Sequence, residues 1–482
     1  MFAENPIMKS PIMTQNRKFD LIVIGSGPGG YVAAVRAAQL GFTVACVEKD
    51  PRLGGVCLNA GCIPSKALLD SSEHFYQARE TFAEHGILTG EIRIDLAAMM
   101  ARKAKVVEDL TEQVRKLLAG NKIEIFQGIA GLSGENSVNV TTPTGGMITL
   151  EGERILLATG STPVAVPGLA FDGQHIVSST EALSFDTVPE HLAIVGGGYI
   201  GLELGSVWRR LGAKVTVIEM LPKIAASMDA QIIRGLTRVL KKQGLEFRLN
   251  TSVTGASVTD GKVAVTLESR GETSVLNCDK LLVAVGRKPL TNGLGLEKIG
   301  IRTDPQTGHV MVDSRYRTNV SSVYAIGDLV PGPALAHKAS AEGIAAVEIM
   351  AGQPGEVNYD TIPSVVYTWP EAASVGITEQ EAKARQIPYC VGAFPFSGTG
   401  RARCMGEKDG FAKLICHSET DRILGVHIFG PRAADMIAEC VLAMEFGAAS
   451  EDIARTVHGH PTFSEALMEA ALSARKCSIY TS

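Results

Sequence analysis

The sequence predicts an α/β chain with two Rossmann-like dinucleotide-binding units and a C-terminal α+β domain. Three observations carry that prediction. A strand, glycine-rich turn, helix and second strand occur twice with the same internal spacing. From about residue 354 the texture changes to alternating strands and helices. The composition, 45% hydrophobic and 20% charged over 482 residues, is that of a soluble globular chain with room for two to four domains.

The first unit opens on an apolar, β-branched run at residues 19–24. Gly25, Gly27 and Gly30 follow, then a small-residue helix over 31–40 and a strand over 43–47 ending at Glu48. The glycines permit a tight turn and let backbone N–H groups approach a pyrophosphate at the helix start. Glu48 is placed to accept hydrogen bonds from a ribose. The second unit has a strand at 191–195, then Gly196, Gly198 and Gly201, a helix through Leu211 and a strand at 214–218 ending at Glu219. First glycine to acid is 23 residues in both copies (48 − 25 and 219 − 196). Two units of one design imply two different dinucleotides.

The connecting segments read as an amphipathic helix over 103–118, strands at 122–127 and 137–140, and a strand entering a turn at 155–160, ILLATG. The run LLVAVG at 281–286 repeats that last pattern. A hairpin over 252–267 turns at Asp260-Gly261. A strand at 323–326 ends in Gly327-Asp328, and a helix spans 336–350. The C-terminal region has strands at 364–368, 410–415 and 423–428 and helices at 433–446, 451–456 and 462–473.

The formal net charge of −5 argues against nucleic acid or an anionic membrane as main partner. No apolar run is long enough to span a bilayer. Residues 1–18 lack an apolar signal core and carry little arginine, so they read as an N-terminal extension of a cytoplasmic protein. Nine cysteines in this length do not make a secreted disulfide scaffold.

Two of them, Cys57 and Cys62, sit in GGVCLNAGCIPSK at 54–66. No second cysteine or histidine pair follows nearby to complete a zinc site. Two readings stand for the pair: ordinary buried cysteines near a helix start, or a redox dithiol. A regular helix would place residues five apart too far round its axis for a disulfide. A non-helical turn at residues 59–61 is therefore expected.

GGVCLNAGCIPSK, both glycine fingerprints, TNVSSVYAIGD at 318–328 and HGHPTFSE at 458–465 occur in one order. With these motifs the chain resembles the class I flavin-dependent pyridine nucleotide-disulfide oxidoreductases over residues 19–473. The branch it resembles oxidises protein-bound dihydrolipoamide with NAD⁺. That resemblance implies FAD on the first fingerprint and NAD on the second. It implies a Cys57–Cys62 redox disulfide, with Cys57 exchanging with substrate and Cys62 facing the flavin. Cys57 is expected just before a helix, where the dipole favours a thiolate. Asp328 would bind the flavin's ribityl chain, and Gly160, Gly286 and Ala336 would join the cofactor contacts. Lys66 and Glu203 are expected as an ion pair beside the flavin; as bare sequence they read equally as helix-surface charges.

His460 is implied as the general base, oriented by Glu465. Thr462 to Glu465 also reads as a capping box, a role that competes for the same carboxylate. His458 reads as structural, and a cis bond before Pro461 would help aim the His460 ring. Glu219, followed by the single cation Lys223, favours NAD over NADP. The implied domains are an extension at 1–18, FAD-binding residues 19–160, NAD-binding residues 161–284, a central segment at 285–353 and an interface domain at 354–482. The resemblance also implies a homodimer, with His460 acting on the other subunit's dithiol. Implied partners are the lipoyl-bearing subunits of 2-oxoacid dehydrogenase or glycine cleavage complexes. The alternative is another disulfide or mercuric-ion reductase; the lone Cys477 lacks the paired C-terminal thiol of the latter.

Overall fold

The computed structural model describes residues 17–480, so all of the N-terminal extension except Arg17 and Lys18 lies outside the described residues. The chain divides into two compact units. Among the described residues, one comprises 17–63, 105–162 and 287–357, the other 64–104, 163–286 and 358–480.

In the first unit, parallel strands run in the order Glu124–Gln127, Val44–Glu48, Arg17–Ile24 and Met147–Leu157. Val323–Ala325 adds to the last of these, also parallel. A parallel strand covered on both faces reads as a continuous apolar run, which is why RKFDLIVI and VACVE do not alternate. Leu21 and Val23 face one apolar cluster, Ile22 and Ile24 another. Met147–Leu157 is shared: its first half pairs antiparallel with Ser137–Thr141 and its second half parallel with Arg17–Ile24. The helix Pro28–Gln39 starts with proline at its first turn and buries Gly29, Gly30, Ala33, Ala34 and Ala37. Against that small-residue face packs Ala336–Met350; a Cβ on its Gly343 would lie 2.6 Å from the Gly29 carbonyl oxygen.

In the second unit a five-stranded parallel sheet runs Leu245–Arg248, Lys214–Ile218, His191–Val195, Lys280–Val283 and Ile176–Val177. An antiparallel meander follows: Ser252–Thr259, Lys262–Ser269 and Glu272–Cys278. The expected hairpin is thus its first two strands. The C-terminal region is an antiparallel sheet in the order Ser364–Val366, Glu371–Gly376, Ile423–Gly430, Phe411–His417 and Tyr389–Pro395. Helices Ala433–Glu445 and Glu465–Ala474 share one apolar cluster with it.

Several boundaries differ from expectation. The helix expected at 103–118 runs Leu96–Gly120. The strands Glu371–Gly376 and Tyr389–Pro395 had no strong alternation to announce them, because glycine and small residues interrupt both.

Candidate functional site

Gly25 has φ +102°, and a Cβ there would meet the Ala158 carbonyl oxygen at 2.4 Å. A Cβ on Gly30 would fall 1.9 Å from the Gly25 carbonyl oxygen, whereas Gly27 opens onto free space. The outer glycines therefore serve close packing, and the middle one leaves room at the helix start. The Glu48 carboxylate is 5% exposed. It accepts from Ser26 N at 2.9 Å, Ser26 Oγ at 2.6 Å and Asp50 N at 3.0 Å. A dinucleotide pyrophosphate fits in front of Gly27, where helix N–H groups and an open Cα converge.

The second copy repeats this almost atom for atom. A Cβ on Gly196 (φ +107°) would meet the Ala284 carbonyl oxygen at 2.4 Å, and one on Gly201 the Gly196 carbonyl oxygen at 2.2 Å. Gly198 is open like Gly27. Glu219 accepts from Gly197 N at 2.7 Å and from Leu221 N at 2.8 Å. The repeated ILLATG and LLVAVG runs supply the walls: Leu157 pairs with Ile24 and Val283 with Val195, which sets Ala158 and Ala284 against the two first glycines. A second dinucleotide fits before Gly198 on the same grounds.

At the far end of the first cradle, Asp328 accepts a short hydrogen bond from Ser161 Oγ. Arg287 clamps Ser161, donating from Nε to Oγ at 2.7 Å and from Nη2 to the carbonyl oxygen at 2.6 Å. Burial pushes the Arg287 guanidinium down, against the charges of Asp328 and Cys62 that favour its cation. Gly160 adopts φ +71° and its carbonyl accepts from Leu290 N at 2.9 Å. Gly286 has φ +141° and its carbonyl accepts from Val164 N at 3.1 Å. Ala336 opens its helix, two residues before a buried lysine. Lys338 Nζ donates to the Gly327 carbonyl at 3.0 Å, Glu342 accepts from Gly327 N at 2.7 Å, and the two side chains pair at 3.2 Å with no exposure. Sequence reading passed over Ser161, Arg287, Lys338 and Glu342. The first two directly follow the repeated glycines Gly160 and Gly286, a positional signal that was available.

Cys57 lies inside a short helix, Gly55–Ala60, and not ahead of one; Cys62 opens the long helix Cys62–Glu80. This corrects the expected placement, and the helix-start argument belongs to Cys62. The break is confined to Gly61 (φ −142°, ψ −117°), since Asn59 and Ala60 are helical. Asn59 caps the carbonyls of Leu53 and Gly55, each at 2.9 Å, which holds the short helix together. Cys57 is half-buried near Tyr31, while Cys62 is exposed.

One turn along the long helix, Lys66 Nζ meets Glu203 Oε2 at 2.8 Å and lies 4.4 Å from the centre of the Tyr367 ring. Glu203 is buried; it also accepts from Ser65 Oγ at 3.0 Å and Tyr367 N at 3.1 Å. The pair is therefore a fixed, networked one and not two surface charges.

His460 precedes a cis proline and is 77% exposed in its side chain. Its Nδ1 donates to Glu465 Oε1 at 2.7 Å. Glu465 Oε2 accepts from Thr462 N at 2.8 Å, so half of the capping box forms. The other half does not: Thr462 Oγ1 donates to the Gly459 carbonyl, and the helix begins at Glu465 with Ser464 as its cap residue. One carboxylate oxygen serves each role. Burial would raise the Glu465 carboxyl, but the bonds from His460 and Thr462 hold it below the usual range. His458 bridges Glu439 and the Thr456 carbonyl, both at 2.8 Å.

Residues 19–343 match the family model for pyridine nucleotide-disulphide oxidoreductases, and residues 362–471 match that family's dimerisation domain. The mitochondrial dihydrolipoyl dehydrogenase of Pisum sativum is 48% identical over 456 residues, 94% of this chain and 91% of the pea protein. The human mitochondrial enzyme of that name is 48% identical over 460 residues, covering 94% and 90%. A leghemoglobin reductase of Vigna unguiculata is likewise 48% identical, covering 94% and 87%. Among solved structures, LpdA from Mycobacterium tuberculosis superposes with a TM-score of 0.87 at 25% identity, covering 96% of this chain and all of that one.

Proposed function

The chain belongs to the pyridine nucleotide-disulphide oxidoreductases, and from that premise we propose that it oxidises dihydrolipoamide with NAD⁺, giving lipoamide, NADH and a proton. The observation that carries the reading is His460. Its Nδ1–H is committed to Glu465, which leaves Nε2 as an outward-facing base. That is the group needed to take a proton from an incoming dithiol, and an imidazole is the side chain that most often serves as such a base.

The substrate thiolate attacks the Cys57 sulfur of a Cys57–Cys62 disulfide and displaces Cys62; the second substrate sulfur then attacks the first and displaces Cys57, leaving lipoamide and the Cys57 and Cys62 dithiol. Bound FAD supplies the two-electron path from that dithiol to NAD⁺. Glu48 with Gly25, Gly27 and Gly30 would hold FAD, and Asp328 with Arg287 and Ser161 would fix its ribityl end. Glu219 with Gly196, Gly198 and Gly201 would hold NAD. Its carboxylate disfavours a 2′-phosphate, and the exposed Met220 and Leu221 beside it offer no compensating cation. Lys66, held by Glu203, would stabilise negative charge on the reduced flavin.

The matched dimerisation domain makes the molecule a homodimer. We assign His460 to the dithiol of the other subunit, and the substrate to a lipoyl group carried by a 2-oxoacid dehydrogenase or glycine cleavage complex. No helix among the described residues is long and apolar enough to cross a membrane. A cytoplasmic location is part of this reading; cell fractionation tests it.

The deciding assay is NADH formation from dihydrolipoamide, run beside NADP⁺ and beside glutathione as the thiol. Activity with dihydrolipoamide and NAD⁺ alone is expected; absence of NADH ends the reading. Cys57→Ser should abolish turnover with FAD retained. His460→Gln should lower turnover about 10²- to 10⁴-fold, the usual span for a general base.

A further inference from the structure

We propose that Cys390 and Cys416 are a second redox pair, which a hydroperoxide converts to a cross-strand disulfide within the C-terminal sheet. The two stand directly opposite each other on the antiparallel strands Tyr389–Pro395 and Phe411–His417. Opposed residues on such strands share one face, with Cβ atoms about 4.5–5.5 Å apart. A disulfide needs them at about 3.5–4.5 Å, so closure takes a shift of about an ångström.

The strand has slack at that place. On its other edge, where it pairs with Ile423–Gly430, the register slips between Ile415 and Cys416. Such a bulge lets a strand bend locally. Cys416, fully buried, belongs to the apolar cluster that also includes residues of the helix Glu465–Ala474, and the half-buried Cys390 packs against that cluster. Gly392, on the same face as Cys390, lets the helix come down onto the strand: a Cβ there would fall 2.0 Å from the Ala470 carbonyl oxygen. The pair is thus sealed from large reagents on one side and reachable by a small one at Cys390. Burial pushes the Cys416 thiol up to about 12 and raises that of Cys390. Both rest as thiols, and oxidation is a slow response to stress and not part of turnover.

The chemistry balances. The Cys390 sulfur attacks the peroxide oxygen of ROOH, giving a sulfenic acid and ROH; the Cys416 sulfur then displaces water. Two thiols and ROOH become one disulfide, ROH and H₂O, with two electrons passing from sulfur to peroxide. This pair is separate from Cys57 and Cys62 in sequence and in the unit that carries it.

The test treats the FAD-loaded protein with tert-butyl hydroperoxide, blocks remaining thiols with N-ethylmaleimide, and maps non-reduced peptides by mass spectrometry. The expected result is a peptide linking Cys390 to Cys416 that dithiothreitol resolves. It should persist in Cys477→Ser and vanish in Cys416→Ala, where Cys390 has no resolving thiol and should be recovered as a sulfenic acid trapped by dimedone. Should Cys416→Ala fail to fold, Cys390→Ser at the half-buried position gives the same reading through alkylation of Cys416 after unfolding. Recovery of both cysteines as alkylated peptides from the oxidised wild type, or a Cys390–Cys477 link in their place, overturns the proposal.

Discussion

At Gly61 the conformation of two cysteines depends on a missing side chain. A Cβ there would lie 2.9 Å from the Val56 carbonyl oxygen and 3.2 Å from the Cys57 Cα. Gly61→Ala should push the Cys57 turn away from Cys62 and cost at least about tenfold in turnover, the loss a misplacement of about 1 Å can exceed. Flavin absorbance should stay intact; unchanged turnover would remove Gly61 from this role. His458 gives a second residue-scale expectation. Its hydrogen bond to Glu439, working against burial, raises its pKa above the ordinary 6.5. A raised histidine contributes stability that is full below its unfolded pKa and is lost as pH rises through the folded one. Glu439→Gln should therefore lower the thermal midpoint clearly at pH 6 and little at pH 9. The loss at pH 6 should be about 1 kcal/mol, low for a charge-assisted bond because Glu439 is partly exposed. Equal losses at both pH values would contradict it. At this scale the sequence showed which residues matter better than how they share bonds. Whether Glu465 caps a helix or orients His460 could not be chosen from spacing, because the carboxylate does one with each oxygen.

The two glycine-rich units were legible as elements because their requirement is local: a strand, a turn that only glycine can make, and a helix starting at once. Their equivalence predicts opposite phenotypes. Gly30→Ala places a Cβ 1.9 Å from the Gly25 oxygen, and Gly201→Ala one 2.2 Å from the Gly196 oxygen. The first should yield flavin-poor protein; the second should keep FAD and raise the KM for NAD⁺ at least about tenfold, as the close helix–strand packing that sets the phosphate-facing turn is lost. Flavin loss from Gly201→Ala would reverse the assignment of the two units. The helix Ala336–Met350 was read with its correct limits, yet its chief polar device was invisible. Lys338 and Glu342 at i and i+4 look like a solvated surface pair. Instead both are fully buried and hold the two ends of Gly327, the residue before Asp328. Lys338→Met strands a buried carboxylate and should cost about 3–5 kcal/mol, the usual penalty for breaking such a pair. Thermal unfolding and flavin release should move together; flavin retention at normal stability would sink the claim. Burial of a charge is set by what packs over it, which i and i+4 spacing within one helix does not reveal.

For the whole molecule, the sequence carried the nucleotide units clearly and the C-terminal sheet only in part. Its five strands are ordered by pairings across the domain, such as Glu371–Gly376 with Ile423–Gly430, that no local pattern announces. The catalytic arrangement is less local still, because the proposed base and dithiol come from different copies of one chain. In a two-fold dimer each site then needs Cys57 from one subunit and His460 from the other. Cys57→Ser and His460→Gln proteins should each be nearly inactive. After the two are dissociated together and allowed to reassociate, half of the dimers should be mixed. Each mixed dimer holds one site in which both residues are intact and one in which both are replaced. Activity should therefore return to about a quarter of wild type, the statistical share for a two-fold assembly. If His460 served the dithiol of its own subunit, every site in every mixed dimer would carry one lesion, and no activity would return at any mixing ratio.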